Sequence, residues 1–264
     1  MKKNILNKRI IKFGYIASLI LFTNSLTFVL ADQIQHKTQI NNNINSEISS
    51  DIKKDINTND KKKTTFLIDP DEVKNIDNIV IVAHPDDETL WAGSYITKEK
   101  CLVLCITNGD NLIRRNEFFD VMEVTDNYGI MLNYPDNPKK VKSTWKNEKK
   151  DILNDIQYLI NYKSWKRIIT HNPEGEYGHI QHRFTSMLVT NVCVKNGIEN
   201  RLFYFEKYMN KNKVNAFQAT IGNDQIEYKH SLMQKYTSQI NAYNKFKHMM
   251  SYEMLIPYDE WYFG

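Results

Sequence analysis

This chain predicts an α/β fold: a mostly parallel sheet flanked by helices, with its site at the C-terminal ends of the strands. Two observations carry that expectation. Asn78-Ile79-Val80-Ile81-Val82 and Cys101-Leu102-Val103-Leu104-Cys105-Ile106 are short apolar runs without alternation, as strands buried on both faces require. Helix-length segments separate such runs, and repeated strand–helix units imply parallel pairing through right-handed crossovers.

The elements follow in order. The strand at 78–82 leads into a short helix at about 88–98, and the strand at 101–106 ends in Thr107-Asn108-Gly109-Asp110. A helix near 112–128 precedes Ile130-Met131-Leu132-Asn133, which runs into Tyr134-Pro135-Asp136. A helix at about 148–162 leads to a fourth strand at 167–171, and one near 180–196 leads to Arg201-Leu202-Phe203-Tyr204-Phe205. A β-rich segment around 213–220 and a long helix over about 225–249 complete the pattern. The arrangement is Rossmann-like, but no Gly-x-Gly-x-x-Gly follows the first strand, which argues against a dinucleotide site.

Two polar clusters stand where such a sheet places its chemistry. Ala83-His84-Pro85-Asp86-Asp87-Glu88-Thr89 follows the first strand, and His171-Asn172-Pro173-Glu174-Gly175-Glu176-Tyr177-Gly178-His179-Ile180-Gln181-His182 follows the fourth. Pro85 cannot donate to a ladder, so it ends the strand and suits a helix start. His84 and Asp87 can then face one point across the turn, while Asp86 projects separately. His182 adds a third ligand from the first turn of another helix, with His179 one turn away on the same face. Two histidines and a carboxylate with an open fourth position match a catalytic zinc, whereas closed structural sites use four protein ligands, often cysteines. Either cluster alone also fits a solvated helix start or a surface histidine pair; their joint occurrence after apolar runs favours a site.

His-Pro-Asp-Asp-Glu at 84–88 together with Gly178-His179-Ile180-Gln181-His182 resembles the LmbE-like, or PIG-L, zinc-dependent N-acetylglucosaminyl deacetylases, over about residues 75–260. The resemblance implies zinc on His84, Asp87 and His182, with Asp86 as the general base. Zinc would lower the pKa of bound water to about 7 and polarise the acetyl carbonyl. Tyr177 and His179 are the expected oxyanion donors, and His179 is also the candidate acid for the leaving amine. Many members carry Asp between the two histidines where this chain has Gln181, so no carboxylate there would hold a neighbouring imidazole protonated. Tyr177 also fits a packing role, and Glu88 fits either a helix-start carboxylate or a partner behind the ligands.

Substrate contacts are expected from Asp110, Arg114 and Arg115, which with Glu117 follow the second strand much as the family's polar loop does. One arginine is expected at the substrate and the other at the surface. Relative to the family pattern the helix after this loop reaches its Tyr128-Gly129 end late, and Tyr134-Pro135-Asp136 matches a family turn. Trp91 suits the core better than a cleft wall, and the aromatic tail from Tyr252 to Tyr262 suits a packed cover.

Composition bounds the setting. Residues 1–12 carry Lys2, Lys3, Lys8, Arg9 and Lys12 without an acid, and 13–31 are uncharged, ending Val29-Leu30-Ala31. That is a secretory signal pattern, long enough to serve instead as a membrane anchor. Residues 32–64 contain no Gly, Pro or aromatic residue and show no clear period, as a flexible spacer would, leaving 65–264 as the catalytic domain. Without the first 31 residues, 30 basic side chains face 31 acidic ones, so the +4 of the whole chain is a targeting charge and gives no support for nucleic-acid binding. Cys101 and Cys105, about 13 Å apart along a strand, cannot pair within the roughly 7 Å limit. The expected function is an extracytoplasmic zinc hydrolase that deacetylates an N-acetylated, GlcNAc-type amino sugar in a glycan or glycoconjugate. The alternatives are an amidase on another acylated amine and a non-catalytic glycan-binding protein.

Overall fold

Six strands form one sheet in the order β3-β2-β1-β4-β5-β6 in the computed structural model, which describes residues 66, 68–136, 145–214 and 218–264. The expected signal or anchor (1–31) and spacer (32–64) lie outside the described residues. In chain order the elements are α1 (Pro70–Val73), β1 (Asn78–Val82), α2 (Asp87–Ile96), β2 (Cys101–Thr107), α3 (Leu112–Val124) and β3 (Tyr128–Tyr134). They continue with α4 (Lys149–Tyr162), β4 (Arg167–Thr170), α5 (Ile180–Lys195), β5 (Leu202–Phe205) and α6 (Lys211–Val214). α7 (Asn223–Met233), α8 (Ile240–Phe246), β6 (Leu255–Pro257) and α9 (Tyr258–Phe263) complete the chain. The first five strands pair in parallel and β6 runs antiparallel to β5. No helix among the described residues is long and apolar enough to cross a membrane.

Every residue of β1 and β2 is buried. Alternate side chains serve two cores, one on each face of the sheet. Ile79, Ile81, Leu102 and Leu104 pack with Ile152, Ile156, Leu159 and Leu188 of α4 and α5. Val80, Val82, Val103 and Cys105 pack instead with Leu90, Trp91, Phe118, Val121 and the C-terminal residues Leu232, Tyr236 and Phe246. Each such large apolar side chain contributes about 1.5–3 kcal/mol relative to exposure. Trp91 therefore lies in the core, as expected, and the three cysteines are free and buried.

The chain moves outward from β1 to β3, then returns to the other side of β1 to form β4. Strand order thus reverses between β1 and β4, where diverging connections open a crevice at the C-terminal strand ends. Both polar clusters emerge there.

Three expectations need correction. The helix expected over 112–128 stops at Val124, because Asp126 turns at φ 53° and the Asn127 side chain bonds the Cys101 N–H and the Ile96 carbonyl. Tyr128 and Gly129 open β3 instead, and a Cβ at Gly129 would stand 2.8 Å from Met122 and Phe118, so the strand lies too close to α3 for a side chain there. The expected β-rich segment at 213–220 is not a strand where described: Lys213 and Val214 belong to α6, 215–217 lie outside the described residues, and the sixth strand comes from the aromatic tail. The single helix expected over 225–249 is broken into α7, α8 and two 3-10 turns, Thr237–Gln239 and Lys247–Met249. The break is tertiary in origin: the Tyr236 hydroxyl donates to buried Glu88, while Thr237 and Ser238 bond Glu117 on α3.

The C-terminal segment is fastened to α2 through the Glu253 carboxylate, which an ion pair holds in place. Lys229 Nζ lies 2.7 Å from Glu253 Oε2, both residues are buried, and Glu253 also accepts the backbone N–H groups of Ser94 and Tyr95. The rest of the tail is the expected cover, with Trp261 and Tyr262 against the Tyr204 ring.

Candidate metal centre and cleft

Backbone ties fix the end of β1 before any site residue is placed. Thr107 Oγ1 donates to the Ala83 carbonyl, Thr170 Oγ1 donates to the Ile81 carbonyl, and the Ala83 N–H donates to His171 Nε2 at 3.0 Å. The chain then turns through Pro85 and Asp86, and Asp86 adopts φ 124°. That conformation strains a residue with a Cβ by about 1–3 kcal/mol and persists only where the surroundings impose it. Glu88 is part of what imposes it: one carboxylate oxygen accepts the Asp86 N–H, and the other accepts the Thr89 and Tyr236 hydroxyls. Burial raises the pKa of Glu88 above the ordinary carboxylate value. Glu88 stands in the first turn of α2 and braces the turn through Asp86, Thr89 and Tyr236.

His84, Asp87 and His182 converge. His84 Nδ1 stands 3.1 Å from Asp87 Oδ2 and 3.2 Å from His182 Nε2, and the latter two atoms are 3.3 Å apart. Their outer hydrogen bonds decide which ring nitrogens carry hydrogen. His182 Nδ1 faces a Glu176 carboxylate oxygen at 2.5 Å, so it donates and leaves the Nε2 lone pair facing inward. His84 Nε2 faces Gln181 Oε1 at 2.7 Å and Asp136 Oδ1 at 3.3 Å, so it donates and leaves the Nδ1 lone pair facing inward. With His84 neutral, two imidazole lone pairs therefore meet a carboxylate oxygen that also accepts the His84 backbone N–H. Ligand atoms about 2.0–2.1 Å from a tetrahedral zinc stand about 3.3 Å from one another, so this donor set fits a cation of that kind.

Two further histidines lie near and differ in availability. His171 groups with Asp87 and His182, but its Nε2 already accepts from Ala83 and its Nδ1 faces Glu176, so both nitrogens are engaged. His179 groups more loosely with His84 and His182. Among the described residues its buried Nδ1 has no hydrogen-bond partner.

Without a cation, a proton takes its place. Burial opposes charge on His84, but hydrogen bonds to Asp136 and Asp87 override it and push the imidazole up to about 10. Burial would raise Asp87 as well, yet His182 and His171 hold it well below the usual carboxylate range. Glu176 is pushed down to about 2, because His171 and His182 outweigh its burial. Asp86 moves the other way: burial and the Asp87 charge raise it well above an ordinary aspartate, with Arg114 opposing. His179 is pushed down to about 3 by burial and by His182 and His84. It is thus a neutral imidazole near neutral pH, which disfavours the resting acid role expected of it. Burial raises the Tyr177 phenol, which keeps its hydrogen.

A cleft of about 190 Å³ opens at these groups, lined by His84, Asp86, Asp87 and Leu90 from the β1 end, by Arg114 and Asp136, by Tyr177 and His179, and by Gln239, Ala242 and Phe246 of the C-terminal segment. Arg114 is the arginine that reaches it, with Nη2 donating to the Pro85 carbonyl and standing 3.5 Å from Asp86 Oδ1. Arg115 is exposed beside the Phe119 ring, and Asp110 is exposed; neither lines the cleft. They project away because α3 starts at Leu112, capped by Asn111, and turns only the Arg114 and Glu117 face inward. Glu117 is bonded to Thr237 and Ser238, so it braces the C-terminal wall. Tyr177 packs its ring on Phe246, with centroids 4.6 Å apart, beneath the Lys245 ammonium at 4.5 Å.

Sequence reasoning missed Glu176 as the partner of His182, His171 as the anchor of Ala83, and the whole contribution of Gln239, Ala242 and Phe246. Glu176 carried one usable signal: a carboxylate six residues before the candidate ligand His182, across a glycine-containing turn.

A family model described as PIG-L, GlcNAc-PI de-N-acetylase, matches residues 79–193. An uncharacterized protein of Acanthamoeba polyphaga mimivirus is 30% identical over 162 residues, 55% of this chain and 67% of that protein. Among solved structures, a deacetylase of the teicoplanin biosynthesis pathway superposes with a TM-score of 0.51 at 13% identity, covering 63% of this chain and 86% of the other. The zinc-inhibited form of a teicoplanin deacetylase gives 0.50 at 13% identity, covering 66% and 88%. At these identities the likeness to solved structures is one of fold: a mostly parallel sheet flanked by helices.

Proposed function

Because this chain belongs to the PIG-L family, whose members are deacetylases and hydrolases, we propose that it is a metal-dependent hydrolase that removes the acetyl group from an N-acetylated amino sugar of GlcNAc type. The observation that carries the reading is the convergence of His84 Nδ1, Asp87 Oδ2 and His182 Nε2, three potential ligand atoms within 3.3 Å of one another. Zinc is the proposed occupant; when bound it would polarise the acetyl carbonyl and acidify water.

This chain's own groups account for the remaining requirements. Asp86, with its carboxyl raised by burial, takes a proton from the attacking water as the new C–O bond forms. The Tyr177 hydroxyl and a neutral His179 N–H are the donors available to the oxygen that gains charge. Since His179 holds no spare proton at neutral pH, Asp86 is the group able to return its proton to the nitrogen as the C–N bond breaks, releasing acetate and the free amine. The Arg114 guanidinium beside Asp86 limits how far that carboxyl rises.

The proposal includes an extracytoplasmic location, supported by the basic 1–12 and uncharged 13–31 segments. Acetate release by the metal-reconstituted full chain, measured across GlcNAc-containing glycans, glycoconjugates and sugar-free N-acetyl amines, tests the reading. Turnover of the sugars is expected. Turnover confined to sugar-free amines would replace the substrate class, and glycan binding without acetate would replace the enzyme with a binding protein.

A further inference from the structure

We propose that Gln181 is a positioning residue that selects the tautomer of His84 and so sets the affinity of the site for its metal. The inference rests on the reading of His84, Asp87 and His182 as the ligands.

Gln181 is fully buried in the first turn of α5 and does not line the cleft, so it can reach the chemistry only through a neighbour. Its two polar ends have different partners. Gln181 Nε2 lies 3.0 Å from the Pro135 carbonyl oxygen, which also accepts from Trp145 Nε1 at 2.7 Å. A carbonyl oxygen can only accept, so the NH2 end of the amide belongs there. The other end, Oε1, then faces His84 Nε2 at 2.7 Å and can only accept from it. Turning the amide over would set oxygen against oxygen at Pro135 and leave the NH2 group facing His84. The hydrogen of neutral His84 is thereby placed on Nε2, and the lone pair on Nδ1, the atom that meets Asp87 and His182.

Asp136 offers the same nitrogen a second acceptor, but at 3.3 Å and from a side chain 35% exposed, so it holds the ring less firmly than the buried amide. Gln181 also joins three elements through one side chain: His84 after β1, the turn after β3, and the start of α5. A hydrogen bond of this kind behind a metal-bound histidine is typically worth about 10- to 100-fold in metal affinity.

Zinc affinity of the full chain, measured by chelator competition, and the 15N shifts of the zinc-loaded imidazoles separate this role from packing. Gln181→Met keeps the volume and loses both hydrogen bonds; Gln181→Glu keeps an acceptor for His84. Zinc on Nδ1 of His84 is expected in the natural chain, with affinity about 10- to 100-fold weaker in Gln181→Met and largely restored in Gln181→Glu. Equal zinc affinity in the natural chain and Gln181→Met overturns the inference alone, as does a loss in Gln181→Glu as large as in Gln181→Met, since the tie to Pro135 would then be what matters. A natural chain that takes up no zinc overturns the ligand reading and this inference together. Should Gln181→Met fail to fold, the comparison of Gln181→Glu with the natural chain and the nitrogen that carries zinc still decide it.

Discussion

The floor and the outer wall of the cleft are built on opposite terms. The floor, at the ends of β1 and β4, is buried, and its polar atoms are held by partners that are themselves held: Glu176 by the Asn172 N–H, Gln181 by Pro135, Glu88 by Tyr236. The outer wall, from Gln239 to Phe246, presents an amide, a methyl and an aromatic ring under an exposed lysine. Under the proposed function, the difference would give bond-breaking to the part held by buried partners and recognition to the less constrained wall.

Substitutions can break that division, beginning at the floor. His84→Ala, Asp87→Ala or His182→Ala should each abolish stoichiometric metal uptake and with it all turnover, checked by metal analysis and acetate release; full occupancy in all three would remove the site. Asp86→Asn should retain the metal yet lower kcat by about 10²-fold or more, since a positioned base contributes on that scale. Equal activity would move the base elsewhere.

A third test uses protons. His84 in the metal-free protein is pushed up to about 10, so below that pH a cation must displace its proton. Apparent metal affinity should therefore rise about tenfold per pH unit and keep rising above pH 7. For an ordinary imidazole the rise would flatten near 6.5; titrations at pH 6, 7 and 8 distinguish the two. At the outer wall, Gln239→Ala should weaken KM by a few-fold to tenfold with kcat and metal content nearly unchanged, because its side chain lines the cleft away from the three ligand atoms. A collapse of kcat there would show that the wall takes part in the chemistry.

The same contrast explains what was legible in the sequence. The strands at 78–82 and 101–106 could be read because burial on both faces leaves them wholly apolar, and the floor because its residues follow those strands without interruption. His84, Asp86, Asp87 and His182 need only local chain direction to be placed. Which of the two arginines faces the cleft, and that Asp110 does not line it, could not be read because the orientation of α3 depends on its Asn111 cap, and only one side of that helix faces the cleft. The outer wall could not be read at all. Residues 225–249 suggest one helix, and the break that delivers Gln239 and Phe246 arises from Tyr236 reaching Glu88, some 148 positions away in the chain.

Asp86 carries one further consequence. The proposed base sits at φ 124°, where glycine is at ease and aspartate is not, and its carboxyl is buried beside that of Asp87. Asp86→Gly should therefore fold as well as or better than the natural chain, with Tm unchanged or raised by a few degrees in calorimetry, while turnover is lost. Folding and catalysis make opposed demands on this position, so a library screened for stability alone would discard the aspartate, and only selection for turnover would keep it.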